Sequence, residues 1–354
     1  MNNFFIFDNK PFMFQQNNMI CPVKPIICSS NINNINNTSY ITSVLQCLAN
    51  LKCINIWINQ LSMNGQLMNN KKITYEIFIL FSSLYKGQIP DSSNFILNFI
   101  NKLELNNNNN QNKHDPYHFL FNLLMILHIE NNYPRNPNYN FNNLKGKNNN
   151  DKNITRKIFD DYLYQVENSI ISNNFYIRLG HMFDCSCGKS YKDTYKYMIK
   201  FEIEKYKKFR DQCNAARANN NINMEECFDC YTGGSSKQCK GCGSFKNKEF
   251  LSLYSTSNVL IISLSREKHV FKSDFDFSFQ ISLNNYYERG VYMSNNFYIL
   301  KSCISLNNKG IFFSYVNINN QWWRFCGNSS VYIGNIVQDI YQYEPQLLIY
   351  ELKN

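Results

Sequence analysis

Two short-spaced cysteine pairs carry the chemistry that follows most directly from residue type and spacing. Cys185 and Cys187 form the first pair, and Cys239 and Cys242 form the second, with residues 188–238 between them. Two pairs of thiolates complete a tetrahedral zinc site. The second pair has the standard spacing, whereas the first is one residue shorter. We therefore predict one structural zinc ion; the alternative is four reduced thiols that hold no metal.

The elements that must position these side chains change in character along the chain. Apolar spacing predicts helices over residues 39–58, 74–84, 91–103 and 116–129. From about residue 172 the pattern has period two, and it predicts strands over residues 177–179, 195–203, 250–254, 259–264, 275–279, 298–305, 310–318 and 346–350. Helices followed by strands predict an α+β fold. Both cysteine pairs lie in the strand-rich part.

Composition indicates a globular protein with a sizeable core. The chain has 354 residues, of which 44% are hydrophobic and 16% aromatic, enough for one large domain or two ordinary ones. The net charge of +10 is spread along the chain, and no folded nucleic-acid-binding motif accompanies it. We attribute the charge to solubility, so nucleic acid is not indicated as a partner.

Cysteine usage and targeting patterns bear on the compartment. Thirteen cysteines, an odd number scattered along the chain, favour thiols and metal ligands in a reducing compartment over a disulfide framework. The first 30 residues lack the pattern of a signal peptide, and no apolar run reaches the roughly 18 residues that a membrane helix needs. We expect an intracellular protein, cytoplasmic or nuclear, without a membrane span; an organelle is left open.

A second group of residues suggests a hydrolase from which the reactive groups are missing. Residues 34–48 read Asn-Ile-Asn-Asn-Thr-Ser-Tyr-Ile-Thr-Ser-Val-Leu-Gln-Cys-Leu. This segment resembles the cysteine box of the ubiquitin-specific proteases, the type 2 ubiquitin carboxyl-terminal hydrolases, written Asn-Leu-Gly-Asn-Thr-Cys-Tyr-Met-Asn-Ser-x-Leu-Gln-Cys-Leu. Ser39 stands where that family has its catalytic cysteine. Asn34 aligns with the oxyanion-stabilising asparagine, and Asn36 replaces a glycine.

Four further segments resemble the same family in the expected order. They are residues 114–124, 224–232, 259–266, and 310–315 together with 322–327. The last segment is similar to Gly-His-Tyr-x-Ala-Tyr followed by Trp-Tyr-x-Phe-Asp-Asp. Ile311 therefore occupies the position of the catalytic histidine, and Cys326 that of the aspartate that orients it.

The resemblance covers residues 30–352, and it implies a papain-like fold with thumb, fingers and palm. The thumb would span about 30–170, the fingers 175–255 and the palm 256–352, within a domain of residues 28–354 that follows an N-terminal extension of residues 1–27. The resemblance also implies that Asp115 faces the basic tail of ubiquitin, and that the four cysteines hold zinc at the tip of the fingers. Ubiquitin, or a ubiquitin-like protein, is the implied partner.

The positions that would carry catalysis are filled by residues that cannot perform it. A cysteine protease needs a thiolate, a base that generates it and a group that orients the base. The hydroxyl of Ser39 depends wholly on a base, Ile311 accepts no proton, and no histidine follows His269. Ser39 is then expected to serve as the N-cap of a helix. We predict a pseudoenzyme that binds ubiquitin or serves as a scaffold subunit of a larger assembly. The alternative is an active deubiquitinase in which Ser39 uses a relocated base such as His118.

Overall fold

The computed structural model describes residues 23–29, 38–64, 71–106, 115–139, 151–213, 221–237, 239, 242–244, 247–266, 275–288, 297–334 and 338–353. Within these ranges, the part that precedes the first strand is helical. Its helices are α1 (Ser39–Ala49), α2 (Lys52–Asn64), α3 (Lys72–Tyr85), α4 (Ser93–Asn106), α5 (Pro116–Asn131), α6 (Lys152–Val166) and α7 (Ile170–Phe175).

Strands dominate the remainder, as the change in periodicity predicted. They are β1 (Ile177–Cys185), β2 (Gly188–Lys196), β3 (Ile199–Glu202), β4 (Ile222–Asn223), β5 (Ser235–Lys237), β6 (Asn247–Ser255), β7 (Val259–Ser265), β8 (Phe275–Asp276), β9 (Gln280–Ser282), β10 (Phe297–Leu306), β11 (Phe312–Ile318), β12 (Gln321–Cys326), β13 (Ser329–Gly334) and β14 (Glu344–Leu352). Helices α8 (Ile203–Cys213), α9 (Met224–Thr232) and α10 (Gln338–Tyr341) lie between them.

Two sheets organise these strands. The large sheet has the order β13-β12-β11-β10-β14-β7-β3, with β9 also paired to β10, and the four-stranded sheet has the order β2-β1-β6-β5. Neighbouring strands in both sheets are antiparallel except β3 and β7. The β11–β12 hairpin closes through Asn319 and Asn320, which both have positive φ, as a two-residue turn with the twist of a hairpin requires. Antiparallel pairing of β10 with β11 and of β11 with β12 places the end of β10, the start of β11 and the end of β12 close together.

The central strands of the large sheet, β7, β10, β11 and β14, are largely buried on both faces. Because side chains alternate between the two faces of a strand, Ile261 of β7 packs in a core cluster with α1, α3, α4 and α5. Its neighbours Leu260 and Ile262 pack in a second cluster with α9 and β1. Burial on both faces explains the nearly unbroken apolar run of β7. Helix α1 lies on the first face, where Val44 and Leu45 are completely buried.

The predicted helix over residues 39–58 is wrong as a single element. The structure has two helices, α1 and α2, separated at Asn50 and Leu51. No proline or glycine marks the break. Instead, Tyr85 donates a hydrogen bond to the carbonyl of Ala49 at 2.7 Å, and the backbone N–H of Lys52 donates to the carboxylate of Glu351 at 2.7 Å. Groups distant in sequence therefore satisfy backbone groups that have no partner within the helices at the break.

Membrane-spanning potential is limited to one bent pair of helices. Among the described residues, no single helix is long and apolar enough to cross a membrane. Helices α1 and α2 meet the requirements of length and composition only when they are taken together, and they are bent by 80° at their junction.

Candidate functional site

A cleft of about 450 Å³ lies where the start of α1 meets two turns of the large sheet. Ser39, the first residue of α1, and Ile311, which directly precedes β11, both line it. The turn between β12 and β13 contributes Gly327 and Asn328, and residues 26–28 form a further wall. The structure thus brings together the positions that the sequence assigned to the nucleophile and the base, although they are far apart in the chain.

Ser39 does not serve as an N-cap, and this expectation is wrong. Thr38 occupies the cap position of α1, and its side chain makes no capping hydrogen bond. The hydroxyl oxygen of Ser39 instead accepts a hydrogen bond from the backbone N–H of Phe312, at 3.0 Å. Ser39 is the first residue of α1, and Phe312 is the first residue of β11. The side chain therefore joins the start of α1 to the start of β11.

The turn between β10 and β11 is held by one asparagine side chain. Asn307 Oδ1 accepts hydrogen bonds from the backbone N–H groups of Lys309, at 2.9 Å, and of Ile311, at 3.0 Å. Gly310 has a φ of +73°, a conformation that glycine adopts without steric penalty. Asn307 thus fixes the backbone that presents Lys309 and Ile311 to the cleft.

The described wall of the cleft contains no group that resembles the base of a cysteine protease. Lys309 is the one charged residue among the described residues that line the cleft, and none of these is a histidine, aspartate or glutamate. In the sequence alone, residues 30–37 read Ser-Asn-Ile-Asn-Asn-Ile-Asn-Asn, and none of them carries an ionisable side chain. The predicted oxyanion residue, Asn34, falls in this segment and lies outside the described residues.

Cys326, at the position of the orienting aspartate, does not line the cleft. It is the last residue of β12, half-buried, and packs against the second core cluster. The turn that follows it, Gly327 and Asn328, reaches the cleft. Cys326 therefore lies near the site but faces the apolar interior.

Asp115 is held at the N-cap of α5. Its Oδ1 accepts a hydrogen bond of 2.8 Å from the backbone N–H of His118, and its Oδ2 pairs with His118 Nδ1. Burial is the main cause that raises the pKa of Tyr40 to about 12, and the nearby negative charge of Asp115 adds to the increase. Tyr40, the neighbour of Ser39, also contacts the rings of Phe119 and Phe312 edge-on. Asp115 is thus close to the start of α1, and a capping role accounts for its local contacts.

Histidines elsewhere in the described chain have their own partners. His128 is buried, and its two ring nitrogens contact Glu167 and Ser169 at 2.8 Å each. His181 lies in the four-stranded sheet, where its ring nitrogens contact Glu249 and Thr194. His118, the relocated base that the sequence left open, pairs with Asp115, and it is not among the described residues lining the cleft.

The four predicted cysteine ligands lie together. The sulfur atoms of Cys185, Cys187, Cys239 and Cys242 are all within 4.8 Å of one another. Cys185 Sγ is 3.4 Å from Cys242 Sγ, and Cys187 Sγ is 3.6 Å from Cys239 Sγ. A tetrahedral zinc ion with Zn–S bonds of about 2.3 Å holds its sulfurs roughly 3.8 Å apart, whereas a disulfide needs about 2.05 Å. The prediction that these four thiols can bind one zinc ion is confirmed.

The position of this cluster follows from strand pairing. Cys185 ends β1 and pairs with Gly188, which begins β2, so Cys187 lies in the two-residue turn between these strands. The N–H of Cys239 donates to the carbonyl of Ser244 at 2.8 Å, which closes a turn around Cys242. The one-residue shorter spacing of the first pair is accommodated because the tight turn brings both of its thiols to the same end of the sheet.

A match to a protein-family model identifies the family of this chain. A family model described as ubiquitin carboxyl-terminal hydrolase matches residues 30–350. The chain belongs to the ubiquitin carboxyl-terminal hydrolase family. The sequence resemblance to the ubiquitin-specific proteases is therefore confirmed. No curated protein matches the chain at a significant level.

Solved structures share the fold at low sequence identity. A chain of the SAGA DUB module of Ubp8, Sgf11, Sus1 and Sgf73 bound to monoubiquitin has a TM-score of 0.63 and 15% identity, and the match covers 94% of this chain and 69% of that chain. A yeast SAGA DUB module gives a TM-score of 0.66 at 14% identity, covering 95% and 70%. The module bound to ubiquitin aldehyde gives 0.62 at 16% identity, covering 95% and 71%. These likenesses confirm the predicted α+β, papain-like architecture of ubiquitin-specific proteases.

Sequence reasoning missed Lys309, which lines the cleft, and Asn307, which holds the turn that carries it. Lys309 and Asn307 lie in the turn Asn-Asn-Lys-Gly directly before Ile311. The glycine and asparagines of this stretch signal a tight turn, but its contact with Ser39 depends on how α1 packs on the sheet. The pairing of Ser39 with the N–H of Phe312 had no sequence signal.

Proposed function

We propose that the chain is a ubiquitin-specific-protease-like pseudoenzyme that lacks the Cys/His/Asp triad and acts as a ubiquitin-binding or scaffold subunit of a larger protein assembly. One observation carries this proposal. Ser39 and Ile311 line one cleft, and the described residues that line it include no imidazole and no carboxylate.

The chemical reason is the absence of a proton acceptor at the histidine position. A serine hydroxyl becomes a nucleophile only when a neighbouring base removes its proton. Ile311 has a hydrocarbon side chain, and Cys326 packs toward the core. Loss of a nucleophile or base lowers turnover by about 10⁶-fold in a comparable hydrolase. In this chain all three family positions are filled by other residues.

Retention of the surrounding framework supports a role in binding. The helices, both sheets and the cleft are present, as is Asp115 at the start of α5. The structural neighbours are Ubp8 in complexes with Sgf11, Sus1 and Sgf73, one of them bound to monoubiquitin. By analogy we propose ubiquitin, or a ubiquitin-like protein, as a partner and a protein complex as the setting, in the cytoplasm or nucleus.

The domain boundaries remain part of this proposal. We assign residues 1–27 to an N-terminal extension, and residues 28–354 to the ubiquitin-specific-protease-like domain. Within it, the thumb spans about 30–170, the fingers about 175–255 and the palm about 256–352. The described helices fall mainly in the thumb, and the four-stranded sheet with its cysteine cluster falls in the fingers.

One observation favours a second candidate, an active deubiquitinase. The amine-bearing side chain of Lys309 lines the same cleft as the hydroxyl of Ser39, and serine–lysine pairs act as nucleophile and base in some hydrolases. On this reading Lys309 replaces the family histidine. Its turnover would be lost in both Ser39→Ala and Lys309→Met.

The test combines a turnover assay with a binding titration on the full chain. Hydrolysis of a fluorogenic ubiquitin substrate is measured for the wild type, Ser39→Ala and Lys309→Met, and binding of unmodified ubiquitin is measured by calorimetry. Binding without turnover supports a ubiquitin-binding pseudoenzyme. Absence of both supports a scaffold role. Turnover that Ser39→Ala abolishes contradicts the proposal and supports the active deubiquitinase.

A further inference from the structure

We propose that the first half of α6 is a latch, which holds the four-stranded sheet against the helical part of the molecule and opens while both core clusters stay folded. Opening releases the sheet, together with the cysteine cluster that it carries, to change its position. Charged residues form the latch, three from α6 and three from the side of the sheet: Lys152, Arg156, Asp160, Arg178, Asp193 and Glu288. This inference goes beyond the proposed function and does not depend on ubiquitin binding.

Helix α6 connects two parts of the molecule through its two halves. Its last turn is bound to the segment that follows α5, where Arg135 Nη1 donates to the carbonyl of Tyr164 at 2.7 Å. Leu163 is buried in the first core cluster. The first half of the helix packs on β2 of the four-stranded sheet, and the ring of Phe159 stacks on that of Tyr195 with 6.5 Å between their centroids. Helix α6 therefore bridges the helical part and the sheet.

Charged side chains join the first half of α6 to three strands of the sheet. Arg156 pairs with Asp193 of β2, and its guanidinium carbon lies 3.7 Å from the centroid of the Tyr254 ring of β6. Asp160 accepts hydrogen bonds from Arg178 of β1, at 3.0 Å, and from the hydroxyl of Tyr254, at 2.8 Å. Because residues four apart lie on the same side of a helix, one face of α6 holds β2, β1 and β6 together.

Glu288 adds a fourth point of attachment. Its carboxylate pairs with Arg156 and with Lys152, and its backbone N–H donates to the carbonyl of Leu253 on β6 at 2.9 Å. Glu288 is thus bound to the sheet by its backbone and to α6 by its side chain. Gly180 of β1 leaves room for this arrangement, because a Cβ at that position would lie 3.3 Å from Arg156 Nη2.

The closed latch contains charges that are incompletely paired. Arg156 Nε and Asp193 Oδ2 are enclosed at 3.7 Å from each other, and neither atom has a hydrogen-bond partner among the described residues. Burial raises the pKa of Asp193 above its ordinary value, although the charge of Arg156 opposes the shift. Buried charges with incomplete hydrogen bonding cost free energy, and hydration recovers it when they are released. An element with few buried apolar side chains and many polar contacts is the kind that opens locally.

Strand β1 connects the latch to the cysteine cluster. It runs from the latch at Gly180 to Cys185, a distance of about 17 Å for five residues of extended chain. Because β1 is paired with β2 and β6 over this length, the sheet moves as one piece. A displacement at the latch therefore changes the position of the cysteine cluster relative to the helical part.

Native-state hydrogen exchange of the full chain, followed by mass spectrometry, tests whether the latch opens locally. We expect residues 152–160 to exchange faster than β7, because the core must open before β7 exchanges. Arg156→Met should raise the exchange rate of residues 152–160 by about tenfold or more, as for loss of a charge-assisted hydrogen bond, and should leave β7 unchanged. Lys157→Met, at an exposed position on the same helix, should leave both rates unchanged.

A distance measurement tests whether opening moves the sheet. Fluorophores are introduced through unnatural amino acids at two exposed lysines, Lys189 on β2 and Lys72 on α3. Single-molecule energy transfer should give a broader distribution of distances for Arg156→Met than for the wild type or Lys157→Met. High salt should broaden the wild-type distribution as well, because it weakens ion pairs.

Three results would overturn the inference. Equal exchange rates for residues 152–160 and β7 would show that α6 opens only together with the core. Rapid exchange that Arg156→Met does not increase would assign the opening to contacts outside the latch. An unchanged distance distribution in Arg156→Met would show that the sheet stays in place. If thermal unfolding shows that Arg156→Met is not folded, Glu288→Gln replaces it, and the same directions of change are expected.

Discussion

The hydroxyl oxygen of Ser39 accepts a hydrogen bond from the backbone N–H of Phe312, with 3.0 Å between the oxygen and the nitrogen. The residue at the nucleophile position therefore satisfies the first N–H of β11. Tyr40 packs beside it against Phe312 and Phe119. The start of α1 is thus joined to α5 and to the large sheet by hydrogen bonding and aromatic packing, and Ser39 has a structural role that does not require catalysis.

This hydrogen bond predicts a stability effect of Ser39→Ala. Removal of the hydroxyl takes away the acceptor of a partly buried N–H, which should lower the free energy of unfolding by about 1 kcal/mol. Chemical denaturation with urea measures the change. Ser62→Ala, at an exposed position on α2, is the matched control and should be close to neutral. Equal stability of the Ser39→Ala and wild-type proteins would contradict the structural role.

Two substitutions at Asp115 separate capping from ligand binding. Asp115→Ala removes the acceptor for the N–H of His118 and should lower the free energy of unfolding by about 1 kcal/mol. Asp115→Asn keeps a capping oxygen but removes the charge, so stability should change little. If Asp115 faces the basic tail of ubiquitin, the Asn variant should bind ubiquitin more weakly. Wild-type affinity in that variant would restrict Asp115 to its capping role.

The cysteine cluster predicts one zinc ion per chain. Elemental analysis of the purified protein should find zinc at that ratio, and a chelator should lower the midpoint of thermal unfolding, because metal binding is coupled to folding. Cys239→Ser removes one ligand. Loss of a residue that only hydrogen-bonds to a metal ligand lowers metal affinity by about tenfold or more, so loss of the ligand itself should lower zinc affinity by at least that factor. Cys230→Ser, on α9 and outside the cluster, should retain the metal. If the purified protein contains no zinc and a chelator leaves its midpoint of thermal unfolding unchanged, the prediction is contradicted.

His181 predicts a dependence of stability on pH. Burial lowers the pKa of this histidine below its ordinary value of 6.5, while its contact with Glu249 opposes the shift. Below pH 6.5 the unfolded chain binds a proton that the folded chain does not yet bind, so this contribution to stability is complete above pH 6.5 and decreases as the pH falls toward the folded pKa. His181→Gln should flatten that part of the curve of unfolding free energy against pH. An unchanged slope would show that His181 does not titrate as its burial requires.

Local pattern predicted the elements whose burial is simple. Helix α5 was predicted over 116–129 and runs over Pro116–Asn131, because its apolar residues pack around it in the core and Asp115 caps its start. Strand β7, predicted over 259–264, runs over Val259–Ser265. In both cases the periodicity, or the unbroken apolar run, records contacts that the element makes along its whole length.

Helix α6 was missed because tertiary contacts stabilise it. It is largely polar, and only Phe159 and Leu163 are described as buried. Ion pairs join it to other elements: Arg156 to Glu288 and Asp193, and Asp160 to Arg178 at 3.0 Å. The family resemblance predicted that Ser39 and Ile311 lie in one cleft. It did not predict Lys309, because the position of the turn that carries Lys309 depends on how the sheet packs.

Turnover of a fluorogenic ubiquitin substrate by the purified full chain tests the central claim most directly. We predict that the wild type and Ser39→Cys release no more fluorophore than Ser39→Ala, because a thiol at the start of α1 still lacks the base and orienting group that make it reactive. Saturable release by the wild-type protein that disappears in Ser39→Ala would contradict the account.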